Sequence, residues 1–307
     1  VPARWPWLVS AFCVAVVTLT AQQTLPVFKS AIELTTVTAT VVSREGQLVT
    51  GLSREAFDLY EDGELQTITQ FTNERVPVSL GILLDVSDSM YGQRIQDART
   101  AIERFVGDVL AQGDEFAILA FNHQQQLLTS WTSDATVAPR VLEPLRPFGS
   151  TAIYDALIAA LPLVDTRNRQ RAALLVVSDG ADTASDAALR DVRAGLLRSD
   201  AFVYAIAIDT PGRRPINAPI NPAALAEVTD QSGGRTSVVR SSADLSAALE
   251  GIAAELNSQY LIGYSSPHAA DGRYHSIRVR VRGTDHRVRA RNGYIAEPHR
   301  QGRLERK

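Results

Sequence analysis

Asp85, Ser87 and Ser89 stand at every second position in "GILLDVSDSMYG". Short side chains at that spacing, directly after an apolar run, can turn inward from one loop and present only oxygen. An acid with two hydroxyls suits a hard divalent cation. Two plainer readings compete: Asp88 or Ser89 as a cap on the helix that follows, or a nucleophile loop. Two further stretches bear on the choice. "FGSTAIYDAL" places Thr151 just before a helix, and "LLVVSDGADT" places Asp179 at the end of another apolar run. Each alone is turn and cap chemistry. Together the three loops offer two carboxylates and three hydroxyls, a number suited to an octahedral site that still holds waters.

Catalytic alternatives fit less well. An aspartyl nucleophile would want a second acid two residues on, where Ser87 stands. Neither Ser87 nor Ser89 lies in a Gly-x-Ser-x-Gly elbow, and the loop lacks the lysine of a phosphate-binding loop. A metal alone could activate water, but no general base is placed beside it. His123 follows "DEFAILAF" and reads as a loop-stabilising residue near the sheet edge. His268, His275, His286 and His299 are scattered without zinc spacing. No enzyme is expected. Asp182 reads as a helix cap or a supporting acid.

The elements that must hold these loops alternate. "VSLGILLD", "DEFAILAF", "RAALLVVSD" and "AFVYAIAID" are continuous apolar strands of the kind buried in a parallel sheet. "QRIQDARTAIERFVGDVL", "TAIYDALIAALPLV", "SDAALRDVRAGLLRSD", "NPAALAEVTDQSGG" and "SADLSAALEGIAAELNSQ" read as helices. Caps are expected at Ser185 or Asp186 in the third and at Ser242 or Asp244 in the last. The fold class is therefore α/β: a doubly wound, mostly parallel sheet flanked by helices. Such sheets bind ligands beyond the carboxyl ends of their strands, where Asp85 and Asp179 fall.

The flanks read differently. Residues 32–45 are strand-like, Ser53 starts a short helical turn, and "FDLYEDGELQTITQF" is a hairpin turning at "EDGE". At the other end "YLIGYSS", "RYHSIRVRVRG" and "HRVRARNGYI" are strands. Arg278, Arg280 and Arg282 alternate there with apolar residues, as on a solvated face. The expected layout is a signal segment 1–21, a β segment 22–75, an α/β domain 76–263, and a β segment with polar tail 264–307 that packs with 32–72. "DTPGRRPINAPINPA", with Arg213 and Arg214, is a surface loop near the proposed site.

The chain has 307 residues, with 31 Lys and Arg against 34 Asp and Glu. That balance argues against a nucleic-acid partner, and no small-molecule substrate is expected. The apolar stretch from Trp5 to Ala21 reads as a secretory signal, with an uncleaved membrane anchor as the alternative. Cys13 lies within it, so a processed chain would hold no thiol. The compartment expected is periplasmic or extracellular.

With these motifs in place, the sequence resembles the von Willebrand factor type A domain with a metal-ion-dependent adhesion site. That family's pattern is Asp-x-Ser-x-Ser, a distant Thr, and an Asp before Gly. Asp85, Ser87, Ser89, Thr151 and Asp179 match it, over roughly residues 76–263. Asp88 departs from it, since glycine is usual between the two serines. The flanks resemble bacterial, mostly acidobacterial, secreted proteins with a related domain. The resemblance implies Mg²⁺, or Mn²⁺ or Ca²⁺, held partly through water, with an open position for an Asp or Glu of a protein partner. Its rival is an envelope protein whose metal only braces the loops.

Overall fold

The computed structural model describes residues 34–179, 182–209, 222–268 and 271–297. The expected signal segment, Arg213, Arg214 and His299 lie outside them. In chain order, β1 (Leu34–Val42), β2 (Phe57–Glu61), β3 (Glu64–Gln66) and β4 (Ile68–Thr72) come first. There follow β5 (Val78–Asp85), α1 (Gln93–Arg104), β6 (Glu115–Phe121), β7 (Gln125–Thr132), α2 (Val137–Leu142), α3 (Ile153–Asp165) and β8 (Arg171–Ser178). Next are α4 (Leu189–Leu196), β9 (Phe202–Ile208), α5 (Pro222–Ser232), β10 (Thr236–Val239) and α6 (Ser242–Asn257). The last strands are β11 (Tyr260–Ser265), β12 (Tyr274–Val281), β13 (Arg287–Ala290) and β14 (Gly293–Ile295).

The central sheet runs β10-β9-β8-β5-β6-β7, parallel except for β7. Strands β5, β6, β8 and β9 are buried along their whole length because helices cover both faces. Leu80, Ile82 and Leu84 pack toward α1, α2 and α6, while Leu83, Leu174 and Val176 pack toward α3, α4 and α5. Strand order reverses between β5 and β8. The crevice outside their carboxyl ends is the position where doubly wound sheets bind ligands.

β strands from the two flanks build a second unit. Two antiparallel sheets, β13-β1-β11-β4 and β14-β12-β2-β3, enclose a core that includes Val37, Leu59, Tyr260, Ile262 and Val279. The hairpin turns at Asp62-Gly63, both with positive φ, as a two-residue turn of this kind needs. Its return arm differs from the sequence expectation. β3 stays beside β2, whereas β4 leaves to pair with β11 in the facing sheet. In "ELQTITQF" the apolar residues Leu65, Ile68 and Phe71 stand three apart, so strict alternation breaks where β3 gives way to β4. The short helical turn at Arg54–Ala56 is present, but the Ser53 side chain makes no cap bond there.

The sandwich meets the amino ends of the central strands. Arg171, first residue of β8, donates to the carbonyls of Val76 and Leu256 and to the Gln259 side chain. Gln259 reaches Thr40 of β1 and the Tyr204 hydroxyl at 3.2 Å each. Gly233 lies so close to Ala290 of β13 that a Cβ would collide with its backbone. The junction therefore occupies the end of the sheet where its strands begin.

Candidate metal centre

β5 delivers Asp85 fully buried at its last position. One carboxylate oxygen accepts from the Ser87 N–H at 2.8 Å and the other from the Ser178 hydroxyl at 2.5 Å. The Ser87 and Ser89 hydroxyls are 3.0 Å apart, and Ser89 Oγ donates to Asp179 Oδ1 at 2.5 Å. Asp179 Oδ2 faces Arg94 at 2.8 Å, with both side chains buried. Four of the five expected ligands are thus joined through direct contacts between two loops. Thr151 is buried at the head of α3, and its carbonyl accepts the N–H groups of Thr183 and Ala184 from the Asp179 loop.

The loops are stitched by backbone. Val86 N–H donates to Phe121, Phe148 N–H to Val86, Asp88 N–H to Gly149 and Ala152 N–H to Asn122. Gly149 has φ +76°, and a Cβ there would lie 2.5 Å from His123 Nδ1. A glycine is therefore required, and His123, exposed and edge-on to Phe148, packs against this loop as the sequence suggested. Asp88 is exposed. The helix-cap alternative fails at this point: α1 begins after Gly92 without a side-chain cap, and the Ser89 hydroxyl is directed at Asp179.

Asp182 caps α3, accepting from the N–H groups of Ile153 at 2.7 Å and Tyr154 at 3.3 Å. Ser185 accepts from Tyr154 and Asp155, while Asp155 accepts from Asp186 and Ala187. This reciprocal clasp explains why α4 starts at Leu189 and not after Ser185 or Asp186, which are occupied in holding α3. The last helix begins after Ser241, whose hydroxyl accepts from Asp244 N–H at 3.1 Å, one residue before the expected cap.

Two neighbours went unforeseen. Ser178 precedes Asp179 and could have been suspected from its place at a strand end. Arg94 had a clearer signal: a cation in the first turn of a helix opposes the helix dipole, so it needs an acid nearby.

The electrostatics favour a cation. Burial pushes the Asp85 carboxyl up to about 6, with the negative charge of Asp179 adding a smaller push in the same direction. Asp85 meets only neutral donors among the described residues. A buried carboxylate without a counter-charge is costly, and an all-oxygen cluster around it fits a hard divalent ion.

Comparison with known proteins agrees with this geometry. Residues 80–181 match the family model of the von Willebrand factor type A domain. The chain carries a von Willebrand factor type A domain. Among solved structures, a von Willebrand factor type A protein from Catenulispora acidiphila shares the fold, with TM-score 0.53 and 13% identity over 86% of this chain and 72% of that one. Proximal thread matrix protein 1 from the mussel byssus, with a zinc-occupied MIDAS motif, has TM-score 0.51 and 16% identity over 62% and 48%. The type A domain also resembles inter-alpha-trypsin inhibitor heavy chain H2 of Mesocricetus auratus, 27% identical over 130 residues, or 38% of this chain and 14% of that protein. The minor fimbrium subunit Mfa5 of Porphyromonas gingivalis is 28% identical over 116 residues, 35% and 9%. The aligned stretches thus span a small part of these curated relatives. Among the described residues, no helix is long and apolar enough to cross a membrane.

Proposed function

We propose that this chain is a metal-dependent protein-binding module acting outside the cytoplasm. Asp85, Ser87, Ser89, Thr151 and Asp179 would hold a divalent cation, Mg²⁺ in the first instance, with Mn²⁺ or Ca²⁺ as substitutes. The observation that carries this is the buried Asp85 carboxylate, held by neutral donors beside a second acid. When bound, the cation supplies a Lewis-acidic position that accepts an outside oxygen.

The chain's own charges favour an anionic partner. Two buried carboxylates face one buried guanidinium, Arg94, which leaves the pocket one negative charge. A divalent ion would turn that balance positive and attract an Asp or Glu side chain. Asp88 adds a negative charge at the exposed rim, where solvent and salt screen it. The sandwich packs at the opposite end of the sheet from this centre. The fimbrial subunit among the similar proteins and the zinc-occupied MIDAS of the mussel protein support adhesion over catalysis. So does the placement of Ser87, whose hydroxyl contacts Ser89 and, among the described residues, no histidine.

Immobilised full-length chain, offered envelope extract in Mg²⁺, should retain a protein that EDTA releases and that Asp85→Ala does not capture. Capture indifferent to both EDTA and the substitution would overturn this reading and leave the ion, if any, a brace.

A further inference from the structure

Where the β2–β3 turn meets the start of β12, the sandwich gathers two imidazoles and two carboxylates. We propose that Asp62, His268 and His275, with Asp271 beside them, form a second metal site, selective for a borderline first-row cation of the zinc class. The sequence showed no zinc spacing because Asp62 is 213 residues from His275. Folding removes that separation: one ligand atom each from Asp62, His268 and His275 can be chosen so that all lie within 4.8 Å of one another.

The local chemistry is arranged for coordination. His275 is buried, with Nδ1 2.7 Å from Asp62 Oδ2 and Nε2 3.1 Å from Asp271 Oδ1. One ring nitrogen can take the ion while the other stays on a carboxylate, the arrangement that orients metal-bound imidazoles. Asp62 is itself fixed: its Oδ1 accepts the Ser276 N–H at 2.8 Å and the Ser276 hydroxyl at 3.1 Å, so an ion seated between Oδ2 and His275 Nδ1 would replace only the contact between those two atoms, while His275 Nε2 stays on Asp271. The exposed His268 ring lies parallel to His275, with centroids 4.6 Å apart and planes 7° from parallel. Its backbone is anchored through Ser266 to the buried Glu61.

Ligand atoms on a tetrahedral ion with bonds of about 2.0–2.1 Å stand roughly 3.3 Å apart. Rotation of His268, the exposed member, supplies the contraction. Two imidazoles with carboxylates select zinc-like ions over Mg²⁺ or Ca²⁺, in contrast to the oxygen-only centre at Asp85. Occupancy would tie Asp62 from the first flank to His268 and His275 from the last. The nitrogen that turns to the ion must be unprotonated, so binding releases protons where His275 starts charged.

The test uses the full chain held in saturating Mg²⁺ and titrated with Zn²⁺ by calorimetry, and with Co²⁺ by visible absorption. One further ion per chain is expected, with the strong absorption of tetrahedral Co²⁺. His268→Ala and Asp62→Asn should each weaken it about tenfold or more, while Asp85→Ala leaves it intact. His268 is exposed, so its variant should keep the wild-type far-UV circular dichroism. Absence of a further ion would overturn the proposal. So would Zn²⁺ binding that vanishes with Asp85→Ala yet ignores His268→Ala and Asp62→Asn, which would place the ion at the oxygen centre.

Discussion

Replacing Asp85 with Asn isolates the cost of its buried charge. The side chain keeps its shape. The amide oxygen can accept from Ser87 N–H, and the amide nitrogen can donate to Ser178 Oγ, since a hydroxyl accepts as well as donates. What changes is the charge. The carboxyl is raised from 3.8 to about 6, chiefly by burial. At about 1.4 kcal/mol per unit, ionised Asp85 costs the metal-free chain roughly 3 kcal/mol near pH 7. The raised value fixes the sign: the protonated form's advantage is complete below the unfolded pKa, near 4, and is lost as pH rises through about 6. In EDTA, urea unfolding should show the stability of Asp85→Asn gaining on that of wild type across that window, the other titrating groups cancelling in the difference. The variant should be the more stable by up to about 3 kcal/mol near pH 7. Mg²⁺ should then reverse the order, because only the carboxylate form binds the ion and gains by mass action. An Asp85→Asn chain less stable than wild type in EDTA near pH 7 would refute the reasoning. It would mean that neutral donors already compensate the charge.

Three further outcomes follow from the same geometry. Arg94→Met breaks a buried ion pair and should destabilise the EDTA-treated chain by about 3 kcal/mol in urea; Mg²⁺ should shrink that loss by taking over the charge of Asp179. Gly149→Ala places a side chain at φ +76° against His123 and should cost about 1–3 kcal/mol, read from the same unfolding curves. Asp182→Ala removes the cap on α3 and should cost about 1 kcal/mol; calorimetry should show weaker Mg²⁺ binding as the Thr151 loop loosens.

The alternation of apolar strands and amphipathic helices was legible because a parallel sheet buried on both faces demands continuous apolar runs. The three-loop cluster was legible because strand ends at one edge of such a sheet converge. Arg94 and Ser178 were harder to read: their roles depend on which acid lies opposite, and only tertiary structure shows that. The true starts of α4 and α6 moved because Ser185 and Asp186 serve α3, and Ser241 outcompetes Ser242 as a cap. Strand β4 changed sheets where the alternation breaks between Leu65 and Ile68, and so short a run does not encode which neighbour pairs. Asp62 and His275 meet only because the two flanks fold together, a contact no local spacing encodes.

The most direct measurement is a calorimetric Mg²⁺ titration of chelator-stripped full-length chain beside Asp85→Ala and Asp179→Ala. Wild type should bind one Mg²⁺ per chain, and both variants should lose that binding while keeping the wild-type circular dichroism. A wild type that takes up no divalent cation, or variants that bind as it does, would contradict the assignment of Asp85 and Asp179 as the metal centre.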